Sequence, residues 1–231
     1  MKIALCLSGQ ARSFKKGFEY HKKNLLDKYD VDVFIHTWKA DGIDELTELY
    51  KPVDIQIEEP LTENFDSMYT NTPNADKWPP RFTVAMFYSM YRSNELRVSH
   101  EMKEKFTYDW VIKSRPDYAL NVVIPFEELD NTKLYAPNCR MSPNRDFCND
   151  QFGFSSSAIM NDRMSIYLYM DHFYDQHVQM IGEDMLQAMM YEKNLIGDKL
   201  VYVDMNNPFP PGPHNGTWHS LIRDDYDQWT K

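Results

Sequence analysis

The chain has 231 residues, 42% of them hydrophobic, with 35 acids against 25 bases and a net charge of −10. That length allows one large α/β domain or a domain with a small lobe, and enough chain to bury a core. The acidic balance, with no long basic stripe to offset it, excludes nucleic acid as the expected partner, because phosphates would be repelled. Cys6, Cys139 and Cys148 form neither a disulfide framework nor a Cys-x-x-Cys metal pattern, which suits a reducing cytoplasm. No run approaches the ~18 apolar residues a membrane span requires, so no membrane partner is expected.

Ile3 to Leu7 is too short for a signal-peptide core and reads as a first strand. The small-residue turn Ser8-Gly9-Gln10-Ala11-Arg12-Ser13 follows it. A turn after a first strand, leading into a helix, is where α/β proteins receive phosphates and nucleotides. One glycine makes neither a dinucleotide fingerprint nor a Walker loop, yet Ser8, Gly9, Gln10 and Arg12 are candidate nucleotide contacts. Ser13 is placed to cap the next helix.

Phe14 to Lys28 has helical spacing through Phe14, Phe18, His21 and Leu25, with His21 at the boundary of the apolar face. Val31 to Trp38 alternates as a second strand and ends in His36, Thr37 and Trp38, further candidates at a carboxyl end. Trp38 reads either as a platform for a ligand ring or as an aromatic plug. A short helix over Asp41 to Tyr50 and a third strand over Val53 to Ile57 follow. Leu61 to Pro80 is unpatterned and is held as a lid. Pro79-Pro80 opens a long helix with Thr83, Phe87, Met90, Asn94 and Val98 on one stripe. Its polar members Tyr88, Ser89, Arg92 and Asn94 face either the cleft or solvent.

The stretch Asp109-Trp-Val-Ile-Lys-Ser-Arg-Pro-Asp-Tyr118 carries most of the functional argument. Its apolar run makes a central strand, which Arg115 and Pro116 close, because proline has no N–H for a ladder. Asp117 then stands just past the carboxyl end of a buried strand, where open α/β sheets hold ligands. Asp117 reads as a ligand for a divalent metal beside a nucleotide diphosphate, with Arg115 adding positive charge. The other reading of the same residues is an Arg–Asp pair that braces a turn.

Leu120 to Ile124 and Lys133 to Ala136 read as two closely spaced strands added antiparallel to the sheet. Phe152-Gly-Phe154 is a further strand with Asp150 at its start, and Ser157 is placed to cap a helix running on to Phe173. Gly182-Glu-Asp-Met-Leu186 opens another helix with Glu183 and Asp184 in its first turn, where acids are favoured by the dipole alone. Lys199 to Val203 is a last strand, and a Pro-rich tail carries His214 and His219.

Taken in order, Ile-Ala-Leu-Cys-Leu-Ser-Gly-Gln-Ala-Arg, Asp-Val-Phe-Ile-His-Thr-Trp, Trp-Val-Ile-Lys-Ser-Arg-Pro-Asp-Tyr, Asn-Asp-Gln-Phe-Gly-Phe-Ser and Gly-Glu-Asp-Met-Leu resemble small GT-A type glycosyltransferases of phage, viral and bacterial origin. The resemblance implies a three-layer α/β/α sandwich around a mostly parallel central sheet. It implies a nucleotide-sugar donor, a UDP- or GDP-sugar, in residues 1–118, and a glycan or other hydroxyl acceptor shaped by residues 119–231. Mn²⁺ or Mg²⁺ would assist, but the Asp-x-Asp metal motif stands here as Arg115-Pro-Asp117. One carboxylate still permits a hard cation whose other oxygens come from diphosphate and water. In related enzymes a histidine near the carboxyl terminus completes the site, a part that falls to His219 or His214. Asp184, Glu183 and Asp150 are the candidates for the base that deprotonates an acceptor. A non-catalytic nucleotide- or carbohydrate-binding module and a nucleotidyltransferase remain the alternatives.

Overall fold

The strongest apolar runs become the middle of the sheet. The computed structural model describes residues 1–70, 72, 75–137 and 148–203. Strand β1 (Ile3–Ser8) is buried along its whole length between β2 (Val31–Trp38) and β4 (Trp110–Ser114), and runs parallel to both. Strand β3 (Asp54–Glu58) extends the sheet beyond β2, again in parallel. Beyond β4, the strand β6 (Gly153–Ser155) is antiparallel to β4 and to β5 (Leu134–Pro137), and β7 (Leu200–Val203) is parallel to β5. The order β3-β2-β1-β4-β6-β5-β7 is therefore a mostly parallel mixed sheet in which, among the described residues, only β6 is reversed.

Alternation along the strands feeds two separate cores, as a sheet covered on both faces requires. Ile3, Leu5, Leu7, Val33, Ile35 and Ile112 meet the face that carries α1 (Phe14–His21) and α2 (Ile43–Tyr50). Ala4, Cys6, Phe34 and Val111 meet the other face, beneath α4 (Pro80–Glu104). The short α3 (Phe65–Met68) lies in the stretch before α4 that reads as a lid. Helices α5 (Ser157–Met164), α6 (Met170–Asp175) and α7 (Gly182–Glu192) complete that second face with the methionines Met160, Met164, Met185, Met189 and Met190. The expected α/β architecture with helices on both sides of a mostly parallel sheet is present. No described helix is long and apolar enough to cross a membrane.

Three local expectations are corrected. Leu120 to Ile124 is not a strand: its ends are buried, but the Leu120 carbonyl accepts from Asn24 Nδ2 (2.5 Å) and the Ile124 carbonyl from the Tyr29 hydroxyl (2.6 Å). Side chains satisfy the backbone there, so no ladder forms. Ser157 does not cap α5; Ser156 holds that position, and the Ser157 hydroxyl lies 2.5 Å from Arg97 Nη1 and donates to Glu101 (3.1 Å). Asn94 faces neither cleft nor solvent. It is buried, accepts from Arg97 (2.6 Å) and donates to Asn161 (2.9 Å), clamping α4 to α5.

Gly17 lets α1 lie directly on the corner that follows β4. A Cβ at this position would sit 1.9 Å from the Pro116 carbonyl oxygen, a backbone atom that cannot swing away. Alanine is ordinarily the better helix residue by about 1 kcal/mol, but here the clash dominates. Gly17→Ala is expected to cost about 1–3 kcal/mol of stability through forced displacement of the corner. Urea unfolding measures this, and an unchanged or higher midpoint would contradict the packing of α1 on Pro116.

Candidate functional site

The order of strands turns at the junction of β1 and β4: the chain winds outward through β2 and β3 on one side and through β4 on the other. In open α/β sheets the carboxyl ends at such a junction border the ligand crevice. The two segments leaving those ends are the Ser8–Ser13 turn and the Arg115–Tyr118 corner.

The corner is built on Asp117, whose side chain has no solvent exposure. Arg115 grips it with two parallel bonds, Nε to Oδ1 and Nη2 to Oδ2, both 2.8 Å. Arg12 reaches across from the first turn and places Nε 3.3 Å from Oδ2. Burial alone would raise the Asp117 pKa, but the guanidinium of Arg115, then that of Arg12, outweighs it and holds the carboxyl below its ordinary value. Burial likewise opposes the charge on Arg115, and Asp117 with a smaller share from Asp150 more than restores it. Arg–carboxylate forks of this kind are the strong, directional ion pairs.

The first turn is shaped to meet that corner. Gly9 has φ +108°, and a Cβ there would meet no atom of a described residue within 4 Å. Ser13 stands before α1 in the left-handed region (φ 48°) and does not cap the helix with its side chain. A non-glycine residue held there costs about 1–2 kcal/mol. Such conformations persist where surrounding contacts impose them.

Helix α4 supports the turn from the opposite face. Gly9 N–H donates to Ser89 Oγ (2.7 Å), and the same oxygen lies 2.8 Å from His36 Nδ1. With the ring proton on Nε2, that N–H faces Glu58 Oε2 at 3.4 Å, close enough for charge attraction though off the line of a hydrogen bond. Burial pushes the His36 pKa down, and Glu58 only partly opposes it. Tyr88 donates to Glu58 (2.8 Å), and its ring stacks on the buried Trp38, which is therefore the plug and not a free platform.

A second tie joins the acids at α7 to β4. Lys113 is wholly buried, and its Nζ donates to the carbonyls of Asp150 (2.6 Å) and Gln151 (2.9 Å). Burial drives its pKa well below the ordinary lysine value, against the pull of Asp150. The Asp150 side chain abuts Gly182, the first residue of α7: a Cβ on Gly182 would lie 2.8 Å from Asp150 Oδ2 and 2.9 Å from Met86 Cε. Asp150 Oδ1 is buried with no hydrogen-bond partner among the described residues. The glycine thus lets a carboxylate approach the positive end of α7, next to Glu183 and Asp184.

Arg12, Arg115 and Asp117 thus form one cluster at the exits of β1 and β4, with Gly9 held on Ser89, and Asp150 with the start of α7 forms a second beside the end of β4. Gln10 is exposed on the first turn. Ser8 and His36 are buried, and His36 lies against the Ser89 hydroxyl that accepts from Gly9 N–H. Thr37 is not part of the group. It points to the α1–α2 side and its hydroxyl turns to the Trp38 carbonyl (3.4 Å). His214 and His219 lie outside the described residues. His21, expected at a boundary, is instead wholly buried under the corner, bonded to the Tyr50 hydroxyl (2.8 Å) and Ser114 Oγ (3.1 Å). Lys113 was missed by sequence reasoning. Its only signal is a cation inside the apolar run Trp110–Ser114, where no solvent-facing position exists.

Asp117, read as a metal ligand, is the anchor of two arginines. Both of its oxygens are engaged, no solvent reaches it, and two fixed positive charges adjoin it. A hard cation needs open carboxylate oxygens, and this arrangement does not offer Asp117 as a donor to Mn²⁺ or Mg²⁺. The Arg–Asp brace, the second reading of those residues, describes what is found.

Fold and site define an α/β protein with a buried, ion-paired cluster of charged side chains at the junction of its central strands. Residues 1–209 match the family model described as Domain of unknown function (DUF7796), and the chain belongs to that family. A search of curated proteins finds no match.

Burial lowers the His21 pKa to about 4, with Asp117 opposing, against about 6.5 for an unfolded histidine. Between those values the unfolded chain binds a proton that the folded chain refuses, so stability falls as pH drops from about 6.5 to 4. The share of His21 is about 3 kcal/mol at the acid end. His36 adds in the same direction, whereas Asp117, with its lowered pKa, loses its contribution only at still lower pH. His21→Gln is expected to flatten the fall between pH 6.5 and 4 in urea unfolding; an unchanged pH slope would refute this.

Proposed function

We propose that the protein is a glycosyltransferase that moves a sugar from a nucleoside-diphosphate donor, a UDP- or GDP-sugar, to the hydroxyl of a glycan or similar acceptor. One observation carries the reading: the β1 turn and the β4 corner bring cationic side chains together at the strand junction, with carboxylates across from them at the start of α7. At Gly9 no described residue crowds the turn within 4 Å of a Cβ position, as a nucleotide passing over it would need. The arginines at the corner stand where the charge of a departing diphosphate is to be met.

In the transfer, the bond from the anomeric carbon to the diphosphate oxygen breaks and its electron pair leaves with the diphosphate. The acceptor oxygen forms the new bond to that carbon and loses its proton. Asp150 is the acid best suited to take the proton. Its Oδ1 is buried and without a hydrogen-bond partner among the described residues, while Gly182 holds the carboxylate close to α7. Glu183 and Asp184 flank it in the first turn of that helix. A carboxylate oxygen with no hydrogen-bond partner among the described residues has its lone pairs left to receive a proton from a hydroxyl.

The test is a screen of nucleotide-sugars for hydrolysis and transfer, followed by substitution of the three acids. Asp150→Asn is expected to lower kcat by about 10²–10⁴-fold with the donor KM little changed, with smaller losses for Glu183→Gln and Asp184→Asn. Turnover of no nucleotide-sugar would refute the transferase. Tight nucleotide binding alongside that result would leave a non-catalytic binding module.

A further inference from the structure

We propose that Phe82, edged by the Arg81–Asp66 ion pair, is the platform on which a neutral pyranose ring of the acceptor glycan rests. The inference rests on the reading of the protein as a glycosyltransferase and deepens it by giving the acceptor a place.

Helix α4 runs against the central strands. Ser89 meets Gly9 just past the end of β1, and Glu101 meets the Tyr108 N–H ahead of β4. The first turns of α4 accordingly stand beyond the carboxyl ends of the strands. Phe82, Met86 and Ser89 follow one another at the spacing of successive helical turns, so their side chains share one stripe. Ser89 is the deepest of the three and receives the Gly9 N–H. Met86 reaches the start of α7: a Cβ on Gly182 would lie 2.9 Å from Met86 Cε and 2.8 Å from Asp150 Oδ2. Phe82 stands one turn farther out, about 6 Å along the helix axis, and is 60% exposed. Thr83, next to it, donates to the Met180 carbonyl (3.2 Å), which ties this end of α4 to the turn leading into α7. The stripe therefore ends in an aromatic ring open to solvent, one turn beyond the methionine at the Asp150–Gly182 contact.

The surroundings of the ring match the two surfaces of a sugar. A pyranose carries C–H groups on its face and hydroxyls round its rim; the first pack on an aromatic ring and the second need hydrogen-bond partners. The Arg81 guanidinium lies against the Phe82 ring, with Cζ 4.9 Å from the centroid. Asp66, on α3, holds that arginine twice, accepting from its backbone N–H (3.0 Å) and pairing with its Nη1. Both charged side chains also reach solvent. Ring, guanidinium and carboxylate are consecutive neighbours, an apolar surface edged by donors and acceptors. The pair is assembled before any ligand arrives, so little side-chain freedom is lost when hydroxyls bind to it. Arg81 and Asp66 compensate each other's charge, which suits an uncharged sugar.

Saturation-transfer NMR on the full chain tests this with the methyl glycosides of glucose, galactose, mannose and N-acetylglucosamine, in buffer and with UDP or GDP present. Binding of at least one glycoside, weakened about tenfold in Phe82→Ala and in Phe82→Leu and restored in Phe82→Tyr, supports the platform, because apolar bulk without a ring then does not suffice. Arg81→Ala is expected to weaken the same glycoside by at least threefold. Unchanged binding in Phe82→Ala overturns the proposal. A dimer in sedimentation velocity that Phe82→Ala dissociates overturns it too, since the ring then belongs to a second copy of the chain. Binding of no glycoside under any of these conditions overturns the platform, and turnover in the nucleotide-sugar screen then leaves the transferase reading intact. Ring-dependent glycoside binding by a protein that turns over no nucleotide-sugar upholds the platform and refutes the transferase.

Discussion

One buried carboxylate shared by two guanidiniums joins the exits of the two central strands. Asp117 has no contact with water, so its charge must be met inside the protein; an uncompensated buried charge costs several kcal/mol. Arg115 meets it from the same corner and Arg12 from the turn after β1, about a hundred residues earlier in the chain. The ion pair therefore fixes where the first turn lies relative to the end of β4. Gly17 permits this closeness by letting α1 touch the Pro116 carbonyl, and His21 fills the space beneath. The strained backbone at Ser13 belongs to the same arrangement, in which the turn takes the shape its contacts demand.

The other half of the site hangs on Lys113. A lysine on a central strand would be expected to demand water or a counter-charge. It instead caps two backbone carbonyls at Asp150 and Gln151, which pins the approach to β6 against β4 and sets Asp150 at the start of α7. β6 is also the only described strand that runs against the others, so its beginning lies beside the carboxyl end of β4. That reversal is what brings an acid from the second half of the chain beside the exit of a strand from the first half. Beneath both, α4 serves as a common floor through Ser89 and Met86, and Arg97 to Ser157 and Asn94 to Asn161 lock the helix to α5.

Much of the fold was legible as pattern. The apolar runs at Ile3, Val31 and Trp110 are strands, and Pro79-Pro80 does open a long helix, because burial on both faces and proline's fixed backbone leave clear marks in sequence. Leu120 to Ile124 carries the same apolar mark and is not a strand. Its burial is real, but Asn24 and Tyr29 satisfy its carbonyls, and a side chain's partner in another element is invisible to periodicity. The site divides in the same way. Arg115 and Asp117 stood out by position, whereas Lys113 and His21 looked like members of ordinary apolar stripes.

The amino-acid sequence by itself determined the α/β class, the place of the two exit segments beyond buried strands, and the presence of an arginine beside a lone aspartate. Those follow from alternation, proline and local spacing, which act over a few residues. Only the tertiary structure decided what the aspartate does. A carboxylate in water and a carboxylate in a dry corner are the same letter; the burial that separates them, and the reach of Arg12 from the turn after β1, span distances no local pattern covers. The shift of Asp117 from metal ligand to anchor for two cations follows from that contact, because a buried charge takes its role from whatever opposite charge folding brings to it.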